Sequence, residues 1–133
     1  MNSNFQTLKS DDGFEFRAFV SKPASETAPG IVLLQEEFGS NNQIHNLCDL
    51  LAEEGYLVVA SDVFARLDRD VSLGYSQEDV EKGVPLSERF DTEQGVRDTG
   101  VAIAALRAMP GWQGRNDWLW PWRNACCPGG GPL

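Results

Sequence analysis

The sequence predicts an α/β fold, a mostly parallel sheet flanked by helices, on three observations. A continuous apolar run, Ile31-Val32-Leu33-Leu34, suits a strand covered on both faces, and Tyr56 to Val63 (Y-L-V-V-A-S-D-V) reads as a second buried strand. Helical spacing of apolar residues lies between them and again after the second. Strand and helix thus alternate, an order that implies parallel strands joined by right-handed crossovers. The chain has 133 residues, 41% hydrophobic and 23% charged. Those values fit one folded domain and exclude a disordered chain, a collagen-like fibre or a membrane bundle.

The elements follow in order. Phe14, Phe16, Ala18 and Val20 alternate with polar residues, which predicts a half-buried edge strand over Phe14 to Val20. Pro29-Gly30 opens the first buried strand, and Glu36 to Asn42 forms the loop after it. Ile44, Leu47, Cys48 and Leu51 share one helix face, with Asn41 or Asn42 as the cap and Gly55 as the left-handed terminator. Glu53 and Glu54 read as a solvated helix end, and Cys48 as a small packed hydrophobe. The mixed, charged segment Phe64 to Pro85 predicts mostly loop. A long helix is expected from about Ser87, with Val96, Gly100, Ile103 and Arg107 on one line and Pro110-Gly111 as its stop. Asp62 and Arg66 are expected to shape the loop after the second buried strand.

Charge and motif narrow the function. Twenty acidic against eleven basic residues give a net charge of -9, which opposes binding to a phosphate backbone, so no nucleic-acid partner is expected. The turn after the first buried strand is Gln35-Glu36-Glu37-Phe38-Gly39, neither G-x-G-x-x-G nor G-K-[ST], and its two carboxylates would repel a phosphate. No signal peptide is read in Met1 to Asp12, and no apolar run reaches the roughly 20 residues of a membrane helix. No membrane partner is therefore expected. Three cysteines, Cys126 and Cys127 adjacent, make no disulfide framework or zinc spacing; they fit a cytoplasmic protein with no metal or other cofactor.

The segments I-V-L-L-Q-E-E-F-G-S-N-N-Q-I (Ile31 to Ile44) and C-D-L-L-A-E-E-G-Y-L-V-V-A-S-D-V-F-A-R (Cys48 to Arg66) resemble the dienelactone hydrolase family of α/β-hydrolases. Leu73-Gly74-Tyr75 and the helix Asp91 to Pro110 extend the resemblance over about Gly13 to Gly114. Ser61 stands where the family usually has proline, and Glu37 where it has an aliphatic residue. The resemblance implies hydrolysis of small carboxylic esters or lactones through a nucleophile on a strand-to-helix elbow, followed in the chain by an acid and a histidine. It also implies two site residues here. Glu36 matches the glutamate that contacts the resting nucleophile, and the backbone amide of Glu37 matches an oxyanion donor. Alone, Glu36 reads as a solvated carboxylate; its motif gives it the functional reading. The Glu37 carboxylate would oppose a developing oxyanion. His45, the single histidine, precedes any elbow and is not expected to be the base.

Beyond Gly114 the text changes. All four tryptophans (Trp112, Trp118, Trp120, Trp122), Cys126, Cys127 and three of seven prolines lie at or after residue 112. The chain therefore divides into 1–114, the N-terminal part of an α/β-hydrolase domain, and 115–133, an aberrant, irregular tail. The family's elbow G-[FY]-C-x-G-G is due on the next strand, and the 133 residues contain neither it nor a later histidine. Tryptophan has one codon, TGG, so reading from the second base turns Trp118, Trp120 and Trp122 into glycine. The shifted text can read G-F-G-L-G-G-T-L-A-A, with glycine in the nucleophile slot. A frameshift near Gln113 to Arg115 is therefore expected, with a genuine divergent tail as the alternative. The chain is thus expected to be an incomplete, inactive hydrolase whose strands Ile31 to Leu34 and Leu57 to Val59 lie exposed and prone to aggregation. The alternative is a non-catalytic α/β module that binds a protein through a sheet edge or the Trp-rich tail.

Overall fold

The computed structural model describes residues 2–119, with backbone alone for 115–119. Its elements are β1 (Asn2–Lys9), β2 (Glu15–Lys22), β3 (Ala28–Leu33), α1 (Asn42–Glu53), β4 (Leu57–Ser61), α2 (Gln77–Arg89), α3 (Thr92–Ala108) and β5 (Trp112–Leu119). The text from residue 120 on, with Cys126, Cys127 and most of the expected aberrant tail, lies outside the described residues. Among those described, no helix is long and apolar enough to cross a membrane.

The five strands form one sheet in the order β1-β2-β4-β3-β5. β3 pairs in parallel with both β4 and β5, while β2 runs antiparallel to β1 and β4. The apolar text of β3 and β4 is explained by burial on two sides. Ile31, Leu33, Val58 and Ala60 pack with Ile44 and Cys48 of α1. Val32, Leu57 and Val59 pack on the opposite face with Ala102 and Leu106 of α3, joined by Phe16, Ala18 and Val20 of β2. Parallel strands need this cover, because each crossover places a helix on a face.

Local signals set the ends of α1. The Asn41 side chain accepts from the Ile44 N–H at 3.2 Å, and Gly55 takes the left-handed turn after the helix at φ +101°. Glu53 and Glu54 are exposed as expected. Ile44 and Cys48 are buried, but Leu47 is on the rim at 36% exposure and Ala52 completes the buried stripe. Burial, with the nearby Asp49 charge adding to it, pushes the Cys48 thiol up to about 12. Cys48 should stay unmodified by iodoacetamide in the native chain at mildly alkaline pH and react once denatured. Peptide mapping checks this, and native labelling of Cys48 would contradict it.

Several expectations are corrected. β2 is not an edge strand, because β1 pairs along its whole length, from Asn2 opposite Lys22 to Lys9 opposite Glu15. Ile31 to Leu33 and Leu57 to Val59 are interior strands, each at most 3% exposed, so they are not the exposed aggregation surface expected. The segment Phe64 to Pro85 is loop as far as Ser76, as expected, but its last part is helical: α2 begins at Gln77 with Ser76 as its cap and carries Pro85 inside it. No single helix runs on from Ser87. The chain breaks at Phe90, and Asp91 caps α3 by accepting from the Gln94 N–H at 3.1 Å. The buried line of α3 is Gly95, Asp98, Ala102 and Leu106, whereas Val96, Gly100 and Arg107 are exposed. Asp98 is buried because Arg66 is brought to it from the loop after β4.

Candidate functional site

Because β3, β4 and β5 are parallel, the loops that follow β3 and β4 leave the sheet at the edge where β5 ends. Ligands of open parallel sheets bind at such carboxyl edges. The loop after β3 is Gln35 to Asn41. Gln35 is buried; its Oε1 accepts from the Val63 N–H at 3.2 Å and its Nε2 donates to the Glu36 carbonyl at 3.2 Å. One amide side chain thus ties the loop after β3 to the loop after β4. The loop turns back on itself where the Gly39 N–H donates to the Glu36 carbonyl at 3.2 Å.

A second segment holds the loop from outside. Gly39 bridges to Ser72, the Leu73 N–H donates to the Phe38 carbonyl at 2.8 Å, and Asn41 Nδ2 donates to the Leu73 carbonyl at 2.8 Å. Phe38 packs edge-on against Tyr75, with ring centroids 4.6 Å apart. On a third side α2 approaches so closely that only a glycine, Gly83, fits against the Glu37 carbonyl.

Glu36 and Glu37 are both half-buried, and neither carboxylate has a hydrogen-bond or ion-pair partner among the described residues. The Glu37 N–H likewise donates to no described acceptor. The loop therefore presents a carboxylate and an unengaged amide at the sheet's carboxyl edge. No group of three or more His, Cys, Asp or Glu residues among those described could hold a metal ion.

The remaining candidates lie elsewhere in the fold. His45 stacks on Phe19 at 4.3 Å between centroids and its Nε2 is 3.0 Å from Ser40 Oγ. Burial lowers its pKa; Asp49 opposes that shift and Arg17 adds to it. Arg66 clamps Asp12 and Asp98, with Asp98 also accepting from Ser10 at 2.9 Å and from Gln94 at 3.1 Å. Asp62 accepts from the Asp70 N–H at 2.9 Å through Oδ2, and its buried Oδ1 has no partner among the described residues. Sequence reasoning missed Gly83 and the Val71–Leu73 strap. The Leu73-Gly74-Tyr75 text pointed to that region but not to its contacts.

Asp62 carries a pH signature. Burial pushes its carboxyl above the ordinary range, outweighing the Asp70 N–H that lowers it. The native chain then keeps a proton that the unfolded chain has already lost. Stability therefore falls as pH rises from the unfolded pKa through the folded one. Asp62→Asn is expected to raise the urea midpoint at neutral pH and to leave it unchanged at about pH 3, below the ordinary carboxyl range. An equal gain at both would contradict this assignment.

The family model for the dienelactone hydrolase family matches residues 16–116. The chain belongs to the dienelactone hydrolase family. It is 36% identical over 105 residues to a carboxymethylenebutenolidase of Pseudomonas putida, covering 78% of this chain and 44% of that protein. With carboxymethylenebutenolidase 1 of Cupriavidus pinatubonensis it shares 32% over 116 residues, covering 86% of this chain and 50% of the other. The chain thus spans about half the length of these dienelactone hydrolase relatives. Its fold is that of a Klebsiella pneumoniae crystal structure provisionally named a dienelactone hydrolase, at TM-score 0.70 and 20% identity over 89% of this chain and 49% of that one. A dienelactone hydrolase-like promiscuous phosphotriesterase from metagenomic libraries matches at TM-score 0.59 and 20% identity, over 89% of this chain and 48% of that one. The chain is therefore a partial α/β-hydrolase fold.

Proposed function

We propose that this chain is the first half of a cytoplasmic hydrolase of carboxylic esters or lactones, and that it does not turn over substrate without the rest. The register of β5 carries this reading. β5 ends at Leu119 opposite Leu33, three residues before Glu36. An elbow that began at the end of β5 would put its nucleophile beside the Glu36 carboxylate and the unengaged Glu37 amide. The shifted reading of the tail places its nucleophile slot at residue 120, directly after that strand.

In the complete enzyme the nucleophile would attack the substrate carbonyl carbon and form a tetrahedral intermediate. The Glu37 N–H would then donate to its oxyanion, with Gln35 and the Gly39 turn holding that amide in place. Expulsion of the alkoxide would leave an acyl-enzyme for water to cleave. The 133 residues supply the Glu36 contact and one oxyanion donor, but no elbow and no histidine beyond His45.

The test compares two chains on a p-nitrophenyl ester and a small unsaturated lactone. One is the chain as it stands. The other is read in the shifted frame through the rest of the coding region, with cysteine placed at position 120. The first should match the buffer rate, and the second should exceed it by at least about 1,000-fold, the scale left even to crippled hydrolase sites. An active first chain, or an inactive but folded second one, would overturn the proposal. A defined complex with another protein alongside that inactivity would support a non-catalytic α/β binding module instead.

A further inference from the structure

We propose that Gly83, in the middle of α2, is a positioning residue for the Glu37 carbonyl and, through the Glu37 Cα, for the Glu37 N–H that serves as oxyanion donor; this rests on the function proposed above. Glycine is a poor choice inside a helix, where alanine is more stable. Gly83 is nevertheless the one buried residue of α2, a helix otherwise exposed or half-buried. A Cβ placed on it would lie 2.6 Å from the Glu37 carbonyl oxygen, 3.4 Å from the Glu37 carbonyl carbon and 3.5 Å from Leu73 Cδ1. The nearest obstacle is backbone, so no side-chain rotation makes room and either the helix or the Glu37 peptide must move.

The peptide has little freedom to move elsewhere. Behind it, Gly39 is bridged to Ser72 and Phe38 accepts from the Leu73 N–H at 2.8 Å. The loop is therefore held between two backbone surfaces, the Val71–Leu73 strap on one side and α2 on the other. The Glu37 N–H belongs to the preceding peptide, joined to this carbonyl through the Glu37 Cα, and has no described acceptor of its own. Oxyanion donors must be held to within about 0.5 Å of the productive geometry. Relieving the 2.6 Å contact to an ordinary 3.4 Å requires a shift of about 0.8 Å, so a displacement taken up at Glu37 exceeds that tolerance.

Gly83→Ala and Gly100→Ala are the decisive pair. Gly100 is an exposed glycine of α3 with nothing within 4 Å of its would-be Cβ, so it reports helix gain alone. In amide proton–nitrogen spectra of the 133-residue chain, Gly83→Ala should displace the Glu37 and Phe38 resonances while Val58 and Val59 stay in place. Gly100→Ala should leave Glu37 unmoved. In the frame-restored chain, Gly83→Ala should lower kcat by about 10-fold or more, approaching the loss of one oxyanion donor, with KM changed less than about twofold. An unmoved Glu37 resonance, or an unchanged kcat in an active restored chain, would overturn the inference. An inactive restored parent would instead overturn the proposed function, and the spectra would still decide whether Gly83 positions the Glu37 peptide.

Discussion

Gly39→Ala is expected to destabilise the chain by about 3 kcal/mol, combining roughly 1–2 kcal/mol for a left-handed non-glycine residue with about 1 kcal/mol for each hydrogen bond lost. Gly39 sits at φ +83°, and a Cβ there would overlap the Val71 carbonyl oxygen. Relief requires the strap to retreat. That breaks the bridge between Gly39 and Ser72 and weakens the Leu73 N–H bond to the Phe38 carbonyl. Urea unfolding measures the loss. Amide exchange should show it first at Gly39, Asn41 and Leu73, ahead of β3 and β4. An unchanged midpoint would mean that the loop is not held by this contact.

Arg66→Met should cost about 3 kcal/mol, the lower end for breaking one side of a buried ion pair, because the Arg66 side chain itself keeps 25% of its exposure. Its Nε and Nη2 reach the two oxygens of Asp98 at 2.8 and 3.1 Å, and Asp98 is only 4% exposed. The same guanidinium holds Asp12 at 2.7 and 3.0 Å, with hydrogen bonding from Arg66 the main cause that lowers the Asp12 carboxyl to about 2. One side chain thus locks the β1–β2 turn, the loop after β4 and α3 together. Burial pushes the Asp98 carboxyl up, but hydrogen bonds from Arg66, Ser10 and Gln94 outweigh it and leave it below the ordinary range. A carboxyl depressed on folding stabilises above its unfolded pKa and loses that contribution as pH falls through its folded pKa. The gap between the parent and Arg66→Met should therefore narrow on acidification. A gap independent of pH would point to lost stacking of the Arg66 guanidinium over the Phe14 ring instead.

The interior of this fold was legible because its signals are local. Continuous apolar runs marked β3 and β4, alternation marked the buried face of β2, and Asn41 and Gly55 marked the ends of α1. β1 was missed because its text, N-S-N-F-Q-T-L-K, buries only Leu8, so pairing along β2 rather than hydrophobicity places it. α2 was hidden by its charges and by Gly83 and Pro85, both helix-weakening residues. It meets the site through backbone, which leaves no apolar stripe to read. The face of α3 was misread because burial of Asp98 depends on Arg66, 32 positions away.

The site divides in the same way. The Q-E-E-F-G text and its resemblance identified the loop and its two glutamates. What holds the loop is distant in sequence: Val63 on Gln35, the Val71–Leu73 strap on Phe38 and Gly39, and Gly83 on Glu37. None of these contacts is a motif, since each is a backbone or amide hydrogen bond, or a missing side chain. Ser61, at the end of β4 where the family usually has proline, is buried with its hydroxyl unpartnered among the described residues. That departure was legible as a letter, whereas its physical consequence required the fold.

The most direct test of the central claim, that β3 and β5 frame one half of a hydrolase site, is the coding DNA from the codon of Gly100 to about 150 codons past Leu133, a span set by typical domain length. A single-base correction near Gln113 to Arg115 is expected to join β5 to G-x-[CSG]-x-G-G and then to an aspartate and a histidine in the same frame. A frame that stands as written on both strands, with no such text in any register, would contradict it.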